Sequence, residues 1–154
     1  MGFHSVSEQD QSKVRYAVRD AGQVLDCARR LSGQLKALFD KPHPTEHWGV
    51  SFVELENGES AEIQTPFGMA RASTSIHINQ DGVYGRYLIE KQTKNADGEL
   101  VWRSAWVIRI SRDWVVYPGE EGGEPVDVRD YFPGASNNDV ARLGLSLLYS
   151  IGAN

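Results

Sequence analysis

The sequence predicts an α+β fold in a single domain, residues 1–154, with a long N-terminal helix, an antiparallel sheet of about six strands and a C-terminal helix. Two observations predict the helices: a heptad repeat of apolar residues over residues 14–38 and an amphipathic stripe over residues 140–151. The third observation is the alternation of apolar and polar residues from Ala70 to Tyr117, which predicts a β-meander. Because each helix has one apolar face, both are expected to pack on one face of the sheet.

The first helix is predicted to begin near a serine that is followed three residues later by an acidic residue, at Ser5 or Ser7, and to end near Phe39. Residues 1–6 are expected to be disordered. The apolar seam of the helix is expected to pack on the sheet, and part of it, or its neighbours, is a candidate homodimer interface. The candidate interface residues are Tyr16, Val18, Ala21, Leu25 and Ala28.

Two strands are predicted before the meander, Trp48–Leu55 and Ser60–Thr65, joined by a turn at residues 56–59. That turn contains Asn-Gly, whose residues accept the positive φ angles of a tight hairpin. The predicted strands of the meander are Ala70–Ile78, Val83–Gln92, Glu99–Ile110 and Trp114–Tyr117. The two groups together give six strands.

The register of the meander follows from its first two turns, which both have the pattern Asn-x-Asp-Gly. If both turns are symmetric, Ile78 faces Val83 and Val83 faces Ile110 on the apolar side of the sheet. A slip of one residue would turn these side chains to solvent, so the pattern specifies one register.

The polar side of the predicted meander carries arginines together with a histidine and a tyrosine, a combination that suits a ligand with phosphate or carboxylate groups, or a partner surface. The candidate residues are Arg71, His77, Tyr84, Arg86, Arg103 and Arg109. The predicted register places Glu90 between Arg71 and Arg103, which favours a solvated ladder of cross-strand pairs. Arg86 and Arg109 have no acidic neighbour in this register, so an anion site on this side is expected there.

The apolar side of the sheet is expected to be core, and a second hypothesis places a ligand pocket between it and the helices. The candidate pocket residues are Tyr87, Trp102, Trp106 and Trp114, which are all expected on the apolar side. The acidic segment Pro118–Gly134 is either a solvated connection or a mobile flap over this pocket. The last helix is predicted to begin at residues 136–139 and to end at Gly152.

Composition indicates a cytoplasmic protein without a membrane segment. The net charge is −5 and no part of the chain is strongly basic, which argues against non-specific binding to nucleic acid or anionic membranes. Cys27 is the only cysteine, so no intrachain disulfide can form and a reducing compartment is expected. The sequence has neither a signal-peptide pattern nor a run of about 20 apolar residues.

No motif in the sequence specifies a reaction. Residues 43–47 have the His-x-x-Glu-His spacing of a zinc-peptidase helix, but Pro44 and the adjacent strand leave room for about one helical turn. His43 and His47 are therefore weak metal candidates, and no metal or other cofactor is expected. Cys27 lies in the middle of a helix, away from any group that would activate its thiol, so it is not expected to act as a nucleophile.

These observations favour a non-enzymatic binding or regulatory protein that acts through protein–protein contacts, with a homodimer as one form. This hypothesis predicts an exposed apolar patch on the N-terminal helix. One alternative is a small-molecule-binding protein or small enzyme, which predicts a cavity near Trp106 and Tyr87. A second alternative is a nucleic-acid-associated protein, which predicts salt-sensitive binding through Arg86 and Arg109.

Overall fold

A computed structural model describes residues 7–41, 48–129 and 139–154. In these ranges it has two α-helices, α1 Glu8–Phe39 and α2 Asp139–Ala153. The strands are β1 Ser51–Leu55, β2 Ser60–Thr65, β3 Gly68–Asn79, β4 Gly82–Lys94, β5 Leu100–Ile110, β6 Val115–Pro118 and β7 Val126–Asp127. They form one sheet in chain order from β1 to β7, and every neighbouring pair is antiparallel. The predicted α+β fold is confirmed, with one strand more than expected.

The additional strand, β7, lies in the segment that was expected to be irregular, where it pairs with β6. Helix α2 continues through Gly152 to Ala153, one residue beyond its predicted end. The expected disorder of residues 1–6 and the predicted helix start at residues 136–138 lie outside the described residues.

Both helices pack on the same face of the sheet, as predicted. One apolar cluster joins Val24 of α1 and Leu147 of α2 to Ile89 and Ile108 of the two central strands, and all four side chains are fully buried. Burial of apolar surface is the main stabilising contribution to such a core. In the middle of the cluster, the Tyr87 hydroxyl hydrogen-bonds Ser32 Oγ at 3.0 Å, so this buried phenol has a polar partner.

Helix α1 begins at the second of the two predicted capping sequences. Ser7 Oγ accepts a hydrogen bond from the Asp10 amide at 3.1 Å, which satisfies one of the free donors at the helix start. Ala17, Val24 and the seam residues that follow Val24 are buried, whereas Ala21 is partly buried and Val14 is 45% exposed. The first turns of α1 therefore extend beyond the core.

Ion pairs on the two flanks of α1 set its rotation about its own axis. On one flank, Arg112 of the β5–β6 connection donates to Asp20 at 2.5 Å. On the other flank, Arg29 donates to Glu59, which directly precedes β2, at 2.7 Å. The first flank thus faces the β6 side of the sheet, and the second faces the β2 and β3 side.

The predicted register is correct for the first hairpin of the meander and wrong for the second. Ile78 lies opposite Val83, as expected from the turn at residues 79–82. In the next pair of strands, however, Ile110 lies opposite Gly85 and not opposite Val83. The register already differs beside the turn, where Lys94 lies opposite Leu100 and not opposite Glu99, and it shifts by one further residue within β5.

A β-bulge in β5 separates two registers within the second hairpin. Ile89 pairs with Trp106, but the next residue, Glu90, pairs with Ser104, so Ala105 is the extra residue on β5. A bulge of this kind reverses the inward and outward alternation of the residues beyond it. Every side chain of β5 before Ser104 therefore faces the side opposite to the one that the unbulged alternation predicts.

Glycine at position 85 permits the close packing of α1 on β4. A Cβ atom at Gly85 would lie 2.7 Å from Val24 Cγ1 and 3.2 Å from Ile110 Cβ. The first distance is shorter than real carbon–carbon contacts, so any larger residue would push the helix away from the strand. The position requires glycine for space, and not for its backbone conformation.

Gly85→Ala is expected to lower the free energy of unfolding by about 1–3 kcal/mol, because the added methyl group overpacks the helix–sheet contact. Denaturant unfolding measures the change. The control is Gly22→Ala in α1, where an added Cβ meets no atom within 4 Å and where alanine is expected to raise stability by up to about 1 kcal/mol. Equal stabilities of the two variants would contradict the packing described here.

Candidate functional site

The sheet face opposite the helices, here called the arginine face, carries five of the six residues predicted to form a ligand or partner surface. They are Arg71 and His77 of β3, Tyr84 and Arg86 of β4, and Arg109 of β5. The prediction for Arg103 is wrong. Arg103 lies opposite Lys91 on the helix side of the sheet, because the bulge reverses the alternation before it.

Arg86 and Arg109 are direct neighbours across β4 and β5. Arg86 makes a bidentate ion pair with Glu120, with both nitrogen–oxygen distances 2.8 Å. Glu120 follows β6 and lies in the acidic segment for which the sequence predicts no regular secondary structure. The expectation that Arg86 has no acidic neighbour is therefore wrong, because the acidic partner comes from a different part of the chain.

Arg109 holds the same segment by its backbone. Its Nε donates to the Gly119 carbonyl at 2.8 Å, and its Nη2 donates to the Gly122 carbonyl. The guanidinium also lies over the Tyr117 ring, 5.4 Å from the centroid. Both arginines line a cavity of about 550 Å³ at the hairpin end of the arginine face.

The electrostatics of Glu120 follow from this arrangement. The hydrogen bonds from Arg86, together with the positive charges of Arg86 and Arg109, hold the pKa of the Glu120 carboxyl below its ordinary value. A lowered pKa means that the ion pair stabilises the segment above the ordinary glutamate range and is lost as the pH falls through the folded-state pKa. Glu120 is 65% exposed, so water and ions in solution still reach it.

A second cavity of about 510 Å³ lies at the other end of the arginine face. There, Arg71 donates to Glu90 at 3.0 Å and stacks over Trp102, with its guanidinium carbon 4.2 Å from the ring centroid. The predicted pairing of Arg71 with Glu90 is correct. Glu90 and the indole thus hold the Arg71 guanidinium between them.

His77 lies on the arginine face, opposite Tyr84 and near the hairpin end of β3. Its ring is 5.4 Å from the Tyr84 ring, and its Nε2 is hydrogen-bonded to Ser75 Oγ at 2.8 Å. The aromatic pair follows from the correctly predicted register of the first hairpin, which places His77 opposite Tyr84.

The four residues predicted to line a pocket under the helices do not share one environment. Tyr87 is fully buried, and Trp106 and Trp114 are half-buried beside the core. Trp102 is on the arginine face, because the bulge lies between it and Trp106. Since the four side chains do not converge, they do not form the predicted pocket.

An exposed apolar surface runs along the β3-facing flank of α1. Its helical residues are spaced i, i+4, i+7 and i+11, so they form one stripe. Val18 is 73% exposed and Val14 is also exposed, while Ala21 and Leu25 are partly buried. The stripe continues the line of Arg29, whose ion pair with Glu59 directs this flank toward β3.

The end of β3 beside this stripe is an open sheet edge. The pairing of β2 ends at Ser73, and the Thr74 amide donates to the Glu59 carbonyl at 3.0 Å. Among the described residues, the following segment, residues 75–79, pairs only with β4. Alternation directs the amide and carbonyl groups of Ile76 and Ile78 to the open side, as for Thr74.

Ile76 and Ile78 also expose their side chains, Ile78 at 51%, on the same sheet face as α1. Ile76 lies opposite Gly85, which contacts Val24, so the isoleucines are level with the stripe of α1. This combined patch is here called the helix–edge surface. It consists of Val14, Val18, Ala21, Leu25, Ile76 and Ile78.

Three of the five predicted interface residues belong to the helix–edge surface, namely Val18, Ala21 and Leu25. The other two do not. Tyr16 lies on the Asp20 flank of α1, where the Arg19 guanidinium is 5.2 Å from its ring centroid. Ala28 is fully buried in the core and does not reach the surface.

Sequence reasoning missed Glu120, Ile76 and Ile78. Glu120 lies in a segment without periodicity, and nothing in the sequence points it toward Arg86. A signal for the isoleucines was present, because the predicted β2 is shorter than the predicted β3. Where a strand extends beyond the end of its neighbour, its edge is open.

His43 and His47 lie outside the described residues, and within those residues no group of three or more His, Cys, Asp and Glu side chains surrounds a metal-sized space. Neither described helix has the length and apolar content that crossing a membrane requires. Comparisons with protein-family models, with curated proteins and with solved structures found no match to this chain.

The thiol of Cys27 is expected to be unreactive in the folded protein. Burial raises its pKa to about 12, a hydrogen bond from the Trp114 backbone opposes this shift, and Asp127 and Asp113 add to it. A disulfide exchange reagent at neutral pH is expected to label no thiol in the native protein and one thiol per chain in denaturant. Rapid labelling under native conditions would show that α1 opens away from the sheet.

Proposed function

We propose that this chain is a non-enzymatic binding protein that acts through protein–protein contacts in the cytoplasm, and that its first partner is a second copy of itself. The observation that supports this proposal is the helix–edge surface, where an exposed apolar stripe lies next to an open strand. Exposed apolar patches that adjoin free backbone donors and acceptors mark sites of association.

The open edge is complementary to itself. If two copies of β3 pair antiparallel about His77, Ile76 of one copy lies opposite Ile78 of the other, and the reverse also holds. The amides and carbonyls that face the open side belong to these two isoleucines, so each pair exchanges both of its hydrogen bonds. A two-fold interface requires this kind of self-complementarity, since the same patch serves on both subunits.

The helical stripe extends the same contact. Val14 and Val18 are exposed, and a two-fold axis that passes through His77 perpendicular to the sheet brings the stripes of both copies to the same side of the joined sheets. Apolar burial between helices then adds to the backbone hydrogen bonds of the edge. A partner of another sequence would have to supply both an open strand and an apolar flank at this spacing.

The homodimer is expected to dissociate when a charge is placed on either part of the helix–edge surface. Val18→Lys and Ile78→Lys are each expected to raise the dissociation constant at least about tenfold, because each would bury an unpaired ammonium group in the interface. Sedimentation velocity over a concentration series and native mass spectrometry measure the effect. Both side chains are exposed in the isolated chain, so circular dichroism is expected to show that the two variants keep the native fold.

Tyr149→Lys and Leu100→Lys are the matched controls. Both replace an exposed large apolar residue by lysine, one on α2 and one at the start of β5, and both lie outside the helix–edge surface. They are expected to leave the dimer intact. A wild-type protein that stays monomeric at every concentration would refute the proposal, as would a dimer that only the control variants disrupt.

A further inference from the structure

The pair formed by Arg86 and Arg109 has an arrangement that calls for an anion. Two guanidinium groups lie opposite each other on adjacent strands, where like charges repel. Such a pair is stable when a negatively charged group lies between or beside the two cations. In the structure that group is the carboxylate of Glu120.

Among the described residues, one carboxylate bonds directly to this pair of guanidinium groups, and it bonds to Arg86. Arg109 is held instead by two neutral carbonyl groups, and its guanidinium lies over the Tyr117 ring. Among the described residues, no carboxylate forms an ion pair with Arg109. A third arginine, Arg112, also lines the cavity. It pairs with Asp20 of α1, so its charge has a carboxylate partner of its own.

We propose that Arg86 and Arg109 form a binding site for the phosphate monoester of a small molecule, and that Glu120 is an internal carboxylate which this ligand displaces. A phosphate monoester carries a charge near −2 and three acceptor oxygens, so it can engage both guanidinium groups at once. A free monocarboxylate matches only what Glu120 already supplies from within the chain, at a high effective concentration. A ligand that displaces Glu120 therefore needs a second negative charge beyond that of a carboxylate.

The cavity beside the two arginines has space for the rest of such a ligand. Its volume is about 550 Å³, within the range of small-molecule sites, and Tyr84 and Tyr117 contribute ring surfaces to its wall. Asp81 and Asp113 also line the cavity. These carboxylates disfavour a second phosphate group and suit a neutral or cationic remainder.

The Glu120 side chain can leave the site while the backbone beside it stays in place. The side chain is 65% exposed, so rotation about its own bonds carries the carboxylate into solvent. The Gly119 amide stays bonded to the Val107 carbonyl at 2.8 Å, and Arg109 stays bonded to the carbonyls of Gly119 and Gly122. Displacement of Glu120 then requires no change in the sheet.

The test is the affinity of the full chain for phenyl phosphate, measured by isothermal titration calorimetry at low salt. Glu120→Gln keeps the shape of the side chain but removes its charge, so it is expected to bind phenyl phosphate at least about tenfold more tightly than the native protein. Inorganic phosphate is expected to show the same gain with weaker binding, and benzoate is expected to bind weakly to both proteins. Stronger binding of benzoate than of phenyl phosphate would overturn the assignment of ligand class.

Glu121→Gln is the matched control, because it changes the net charge equally in the adjacent residue and Glu121 is exposed. It is expected to leave the affinity unchanged. In the Glu120→Gln background, Arg86→Gln and Arg109→Gln are each expected to abolish the gain, whereas Arg103→Gln on the opposite face is expected to retain it. Equal affinities of the Glu120→Gln and Glu121→Gln proteins would refute the site. None of these residues belongs to the helix–edge surface, so this result is independent of the dimer experiment.

Discussion

The close approach of α1 to β4 at Gly85 is the constraint on which the rest of the structure depends. Because no side chain separates Val24 from the strand, the helix lies low over the sheet and fully buries its seam from Val24 onward. Ion pairs on its two flanks then hold its rotation. The flank that carries Val18 consequently faces the side where β2 ends, and the helix and the open strand become parts of one surface.

Periodicity is sufficient to predict the elements of this protein, since the heptad seam and the alternating strands each reflect one buried face. The first hairpin register also follows from the sequence, because the turn before Gly82 permits one symmetric pairing. The second register does not follow. Ser104 and Ala105 are small residues that fit either a regular strand or a bulge, so nothing in the local sequence marks the extra residue. The errors at Trp102 and Arg103 are both results of that single insertion.

The two candidate surfaces differ in how far the sequence predicts them. The helical stripe can be predicted from the spacing of apolar residues in the sequence. The structure was needed to show that Tyr16 lies on the other flank and that Ala28 is fully buried. The sequence singles out Arg86 and Arg109 because its predicted register gives them no acidic neighbour. In the structure the two residues lie opposite each other, and Arg86 pairs with Glu120, a residue 34 positions away that no sequence pattern connects to it.

Because of the bulge at Ala105, the side chains that each sheet face presents depend on the number of residues in β5. Deletion of one residue there would restore regular alternation and exchange the faces of Trp102 and Arg103. The arginine face would lose the indole that stacks on Arg71 and would acquire a guanidinium in its place. An insertion or deletion at this site would therefore alter both surfaces of the sheet without any substitution, and homologous chains that differ in length here are expected to differ in what they bind.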